Sequence, residues 1–115
     1  MATEVAFACD MSAMTPQERQ AHSRVIREVF GAVTNIRELS NGYAFDVPAA
    51  SELLAQAGEF VSLERLCCPF FDFSLDLPRA ASSFGMHVTG PAGVKSFIQA
   101  EFSNALPVST GFPGG

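Results

Sequence analysis

Residues 64–77 read ERLCCPFFDFSLDL, and the spacing of the apolar residues changes at Pro69. Before it, Leu53, Ala57, Phe60, Val61, Glu64, Cys67 and Cys68 fall within an arc of about 140° when placed on a helix. After it, Phe71, Phe73, Leu75 and Leu77 alternate with Asp72, Ser74 and Asp76, the period of a strand with its apolar side chains turned inward. Proline cannot continue a helix, and it also moves the preceding residue out of helical conformation. The stretch therefore predicts a helix over about 50–67 that delivers the chain into a half-buried strand.

The same two periods recur on either side. Val5, Phe7 and Cys9 alternate with Glu4, Ala6 and Ala8, which predicts a first strand over 3–9 with Cys9 facing inward. Thr15, Pro16 and Glu18 have the spacing of a capping box with proline in the first turn. A helix over 16–33 follows, with Ile26, Val29, Phe30 and Val33 as its stripe. Residues 36–47 read as a hairpin closed by Asn41-Gly42. Beyond a loop at 78–83, Phe84, Met86 and Val88 mark a last strand, and Gly90-Pro91 leads to a third helix striped by Val94, Phe97, Ile98 and Phe102. The order is β-α-β-β-α-β-β-α. It predicts a two-layer α+β fold, a mostly antiparallel sheet of about five strands with helices on one face. Residues 1–105 are expected to form one domain and 106–115, rich in Pro, Gly and Ser, a flexible tail. The two helix–hairpin units invite comparison, but the sequence supports no internal repeat.

A chain of 115 residues with 48% apolar content is long enough to bury roughly two thirds of its unfolded surface. No metal or disulfide is needed merely to fold it. No apolar run approaches the ~20 residues of a membrane span, and the N-terminus lacks a signal-like region. A cytoplasmic location without membrane contact is expected. The net charge is −5 and the seven basic residues are scattered, which argues against nucleic acid as a partner. Eleven phenylalanines allow an exposed apolar patch, and so a homodimer.

Three cysteines in a cytosolic chain read as thiols, ligands or core residues before a structural disulfide. Glu64 interrupts an apolar stripe, and a buried carboxylate must be protonated, paired or ligating. Positions 64, 67 and 68 are neighbours at i, i+3 and i+4. At a helix C-terminus beside a carboxylate, a thiol is held protonated rather than activated, whereas a bound soft cation deprotonates it outright. Adjacent cysteines lack the spacing of a zinc knuckle and suit mercury, trivalent arsenic or copper(I) better. The candidate ligands are Cys9, Cys67, Cys68 and Glu64, with zinc, copper, mercury or arsenic as the ion and no organic cofactor.

The chain resembles small, functionally uncharacterised bacterial proteins with a first-strand cysteine, an E-x-x-C-C-P-F-x-x-F block and a T-G-P-x-G turn. Here these are Cys9; Glu64, Cys67, Cys68, Pro69, Phe70 and Phe73; and Thr89, Gly90, Pro91 and Gly93, over about residues 5–104. Relatives near heavy-metal resistance genes imply soft-metal handling, and no established activity transfers. This chain departs in Cys9-Asp10-Met11, where the family has a small polar residue and leucine.

Other readings compete. The cysteines also fit as packing residues in a small-molecule or protein-binding module. A thiol redox protein is a third class, with a strained Cys67–Cys68 disulfide as one form, and a metal-assisted hydrolase a fourth. Glu64 also fits a buried ion pair with Arg24 or Arg27. His22 reads as a surface residue. His87 is expected on the polar sheet face opposite Ser74, diagonal to Asp72 and Asp76.

Overall fold

The computed structural model describes residues 7–113. Three helices, α1 (Pro16–Gly31), α2 (Ser51–Cys67) and α3 (Val94–Phe102), accompany four strands: β1 (Asn35–Leu39), β2 (Gly42–Pro48), β3 (Asp72–Asp76) and β4 (Ser83–Thr89). The sheet is antiparallel in the order β1-β2-β4-β3. The fold is α+β, with four strands among the described residues where about five were expected. Residues 3–6 of the expected first strand lie outside the described residues. Phe7 and Cys9 do face inward, but the described residues 7–9 take no strand conformation. Two α-β-β units, α1-β1-β2 and α2-β3-β4, meet where β2 pairs with β4.

The start of α1 forms as the spacing requires. Thr15 accepts from the Glu18 N–H at 3.1 Å, and Glu18 accepts from the Thr15 N–H at 2.9 Å. The hairpin turn lies one residue earlier than expected. Leu39 pairs with Gly42, which leaves Ser40 and Asn41 as the turn. Gly42 belongs to the strand because the β4 backbone crosses so closely that a Cβ would overlap the Val88 carbonyl.

Ile36, Phe45, Met86 and Leu75 form one row across the sheet on the helix side. Phe30 lies at the centre of the core, its ring 4.4 Å from Phe102, 5.1 Å from Phe45 and 5.3 Å from Phe60. Leu75 and Leu77 were expected inward, yet 39% and 52% of their surfaces are exposed. Leu75 lies on β3, which is an edge strand, and Leu77 lies past the end of that strand. The segment expected as a tail returns to the sheet, where Phe112 meets Tyr43 and the Thr110 hydroxyl donates to the Val33 carbonyl.

Contacts down the α1/α2 seam join Glu28 to Gln56, Arg24 to Glu59 and His22 to Glu64. Numbers fall along one helix as they rise along the other, so the two run antiparallel. The start of α1 is thereby set against the end of α2. No helix among the described residues is long and apolar enough to cross a membrane.

Candidate metal centre

The last turn of α2 presents Glu64 and Cys67 side by side, and Pro69 ends the helix as expected. Cys68 leaves helical conformation at φ −126°, ψ 74°, while its N–H still donates to the Glu64 carbonyl at 2.8 Å. Its sulfur remains 3.8 Å from that of Cys67. All three residues are sealed from solvent, each at 0% exposure.

Cys9 arrives from the other end of the sequence. The Asp10 N–H donates to the Cys67 carbonyl at 2.8 Å, and Phe7 packs edge-on against Phe70 with ring centres 5.1 Å apart. These contacts hold the segment on the end of α2. Cys9 and Cys68, 59 positions apart, are joined as a disulfide with Cα atoms 4.7 Å apart. This corrects the expectation of three unpaired cysteines, and the bond is not the vicinal one. Spacing within α2 contains no information about which distant segment covers its end.

Glu64 does not pair with Arg24 or Arg27. Arg24 lies on the exposed side of the seam and reaches Glu59 at 3.3 Å. Glu64 Oε2 instead lies 3.0 Å from His22 Nε2. When that carboxylate is ionised it only accepts, and Nε2 is then the donor. His22 is not a surface residue: it is only 4% exposed, and its Nε2 also lies 3.9 Å from the Cys67 sulfur. The sequence carried a signal for this. His22 precedes Val25, Ile26 and Val29 by three, four and seven residues, the spacing of the buried stripe of α1.

The carboxylate thus has two distinct sides. With Oε2 engaged by His22, Oε1 faces sulfur, at 3.3 Å from Cys68 and 3.8 Å from Cys67. A disulfide sulfur carries no proton, so the Cys67 thiol is the one S–H there able to donate to it. Burial, reinforced by the charge of Glu64, pushes that thiol up to about 12. α3 adds Glu101, which was not foreseen, with Oε1 3.7 Å from the Cys9 sulfur. Although Glu101 as a whole is exposed, partial burial of its carboxyl and then the charge of Glu64 raise its pKa, partly offset by His22. Glu101 follows Val94, Phe97 and Ile98 by seven, four and three residues, and so borders the buried stripe of α3.

The structure brings together all four expected ligands. The sulfurs of Cys9, Cys67 and Cys68 and a carboxylate oxygen of Glu64 all lie within 4.8 Å of one another. With the Cys9–Cys68 bond reduced, such a set of soft sulfur and one oxygen can hold a metal ion, its carboxylate oriented by His22 as outer partners do in metal sites. A separate cleft between α3 and the C-terminal segment is lined by Ser96, Gln99, Ser103, Leu106 and Phe112 among others. Among the described residues that line it none is titratable, so they offer no comparable chemistry. His87 stands opposite Ser74 as expected, but its Nε2 is enclosed and has no hydrogen-bond partner among the described residues. Comparison with protein families, curated proteins and solved structures finds no match.

Proposed function

We propose that the thiol form of this cluster binds one soft metal or metalloid ion through Cys9, Cys67, Cys68 and Glu64, and that the protein handles or senses such ions. The observation that carries this reading is Glu64 Oε1, sealed from solvent and turned onto sulfur while His22 holds Oε2. A buried carboxylate is expensive unless its oxygens are satisfied. A cation between Oε1 and the three sulfurs satisfies that oxygen and replaces the thiol protons, so the elevated Cys67 value is no barrier to loading. The ExxCCPF resemblance and its association with heavy-metal resistance support the same reading. The cytoplasm, which keeps thiols reduced, is the compartment that suits it.

The test is uptake by fully reduced protein of zinc, copper(I), mercury(II) and arsenite, read by mass spectrometry of the intact chain with parallel thiol counting. We expect one ion per chain, with thiols protected until a chelator is added. Failure of all four to bind, together with Cys→Ser variants that fold and behave alike, would assign the cysteines to packing in a binding module.

A further inference from the structure

We propose that the cluster is also a two-electron thiol–disulfide couple that releases its ion on oxidation, with Cys9 meeting the oxidant and Cys68 closing the bond. The release step rests on the metal-binding reading; the couple does not. Cys9 and Cys68 belong to the candidate ligand set and are also the two residues joined as a disulfide. A sulfur bonded to sulfur is no longer a thiolate, so the bond and the ion exclude one another. Oxidation leaves Cys67 and Glu64 as the only intact members of the set.

The structure distinguishes the three sulfurs. Cys67 and Cys68 are sealed, whereas Cys9 is only partly buried and lies beside the exposed Glu101. A dissolved oxidant therefore reaches Cys9 first. Cys67 is a poor substitute partner for Cys68. Adjacent Cα atoms are about 3.8 Å apart across a trans peptide, below the usual disulfide span of roughly 4.4–6.8 Å. Cys9 and Cys68, at 4.7 Å, fall inside it.

The couple is also built to be reversible. Cys9 is held near Cys68 by contacts other than the bond, namely the Asp10 N–H on the Cys67 carbonyl and Phe7 on Phe70 and Phe97. Breaking the disulfide therefore leaves the sulfurs assembled.

The oxidant is of the hydroperoxide class. The Cys9 thiolate attacks the terminal peroxide oxygen, the O–O bond breaks, and the departing alkoxide or hydroxide takes a proton from water. Cys9 is then a sulfenic acid. The Cys68 thiolate attacks its sulfur, the S–S bond forms, the S–O bond breaks, and hydroxide leaves as water after protonation. Two thiolates have lost two electrons and the peroxide has gained two. An external dithiol reverses the change by exchange, becoming a disulfide itself.

The experiment loads reduced protein with one equivalent of Cd²⁺ and adds one equivalent of hydrogen peroxide. Free Cd²⁺ is read with a chromogenic chelator, thiols are counted in denaturant, and the disulfide is mapped by peptide mass spectrometry. We expect near-stoichiometric release, a fall from three thiols to one, and a bond between Cys9 and Cys68. Cys67→Ser should still form that bond in the metal-free protein, whereas Cys9→Ser should not form it and should retain any Cd²⁺ it binds. Retention of Cd²⁺ after the bond has formed overturns the release step, and a bond mapped to Cys67–Cys68 overturns the couple. If reduced wild type takes up no Cd²⁺, the metal site and the release step fail together for this ion. Peroxide treatment of the metal-free protein then decides the couple alone, which stands if Cys9–Cys68 forms and falls if all three thiols persist.

Discussion

Near the C-terminal end of α1 Phe30 meets Phe60, ring to ring at 5.3 Å; about two turns nearer its start His22 meets Glu64 at 3.0 Å. Both contacts are closed to solvent, and the same two helices build both. The aromatic contact is self-sufficient, because burying its apolar surface is favourable whatever else the protein does. The polar contact gains nothing comparable, and its carboxylate tolerates burial only through His22 on one oxygen and sulfur on the other. An equally buried apolar pair would often match or exceed its stability. That makes the polar pair a candidate for chemistry rather than a source of stability.

Several variants test this contrast. The largest effect is expected in the core, where Phe30→Ala should cost about 3–5 kcal/mol in denaturant unfolding. That loss should be the same with or without reductant. At the polar contact, His22→Ala should cost on the order of 3 kcal/mol by leaving the buried carboxylate unpaired. The double replacement His22→Leu with Glu64→Met should recover most of that loss while leaving metal uptake by the reduced protein weakened. A double variant as unstable as His22→Ala would break the comparison, because the pair would then be structural.

Reducing the Cys9–Cys68 bond should lower stability by about 2–4 kcal/mol, through the freedom returned to a long loop in the unfolded chain. Unfolding curves with and without a phosphine reductant measure it. The Cys67 thiol sets a pH limit on the same end. Its folded value is raised from the ordinary 9.0 to about 12, so above pH 9 the folded chain binds this proton more strongly than the unfolded chain. Its contribution to stability is full below about pH 9 and is lost as pH rises toward 12. Alkylation of Cys67 in the oxidised protein should therefore be slow at pH 8 and accelerate only in strong alkali. The smallest effect is expected on the solvent side of the seam, where Arg24→Ala should change stability by less than about 1 kcal/mol, because its pair with Glu59 is exposed.

The site was half legible before the fold was known. Glu64, Cys67 and Cys68 share a helix turn, so spacing alone placed them together. His22 and Glu101 sat on readable stripes of α1 and α3, but nothing local tied either stripe to Glu64. Cys9 faced inward as its alternation implied, although the described part of that stretch, residues 7–9, is not in strand conformation. The side chain of Leu75, on the edge strand β3, shows the converse error. Alternation describes which face a residue takes, and only strand order decides whether that face is covered.

By itself, the sequence determined the helices and hairpins, the helix stop at Pro69, and the grouping of a carboxylate with two thiols, because these depend on dihedral preferences and neighbours within about four residues. The tertiary structure alone decided that β2 pairs with β4, that β3 is an edge, that His22 rather than an arginine meets Glu64, and that Cys9 joins Cys68. Each of those contacts joins segments many residues apart. Their energies arise from burying surfaces whose partners are chosen by the packing of the whole chain.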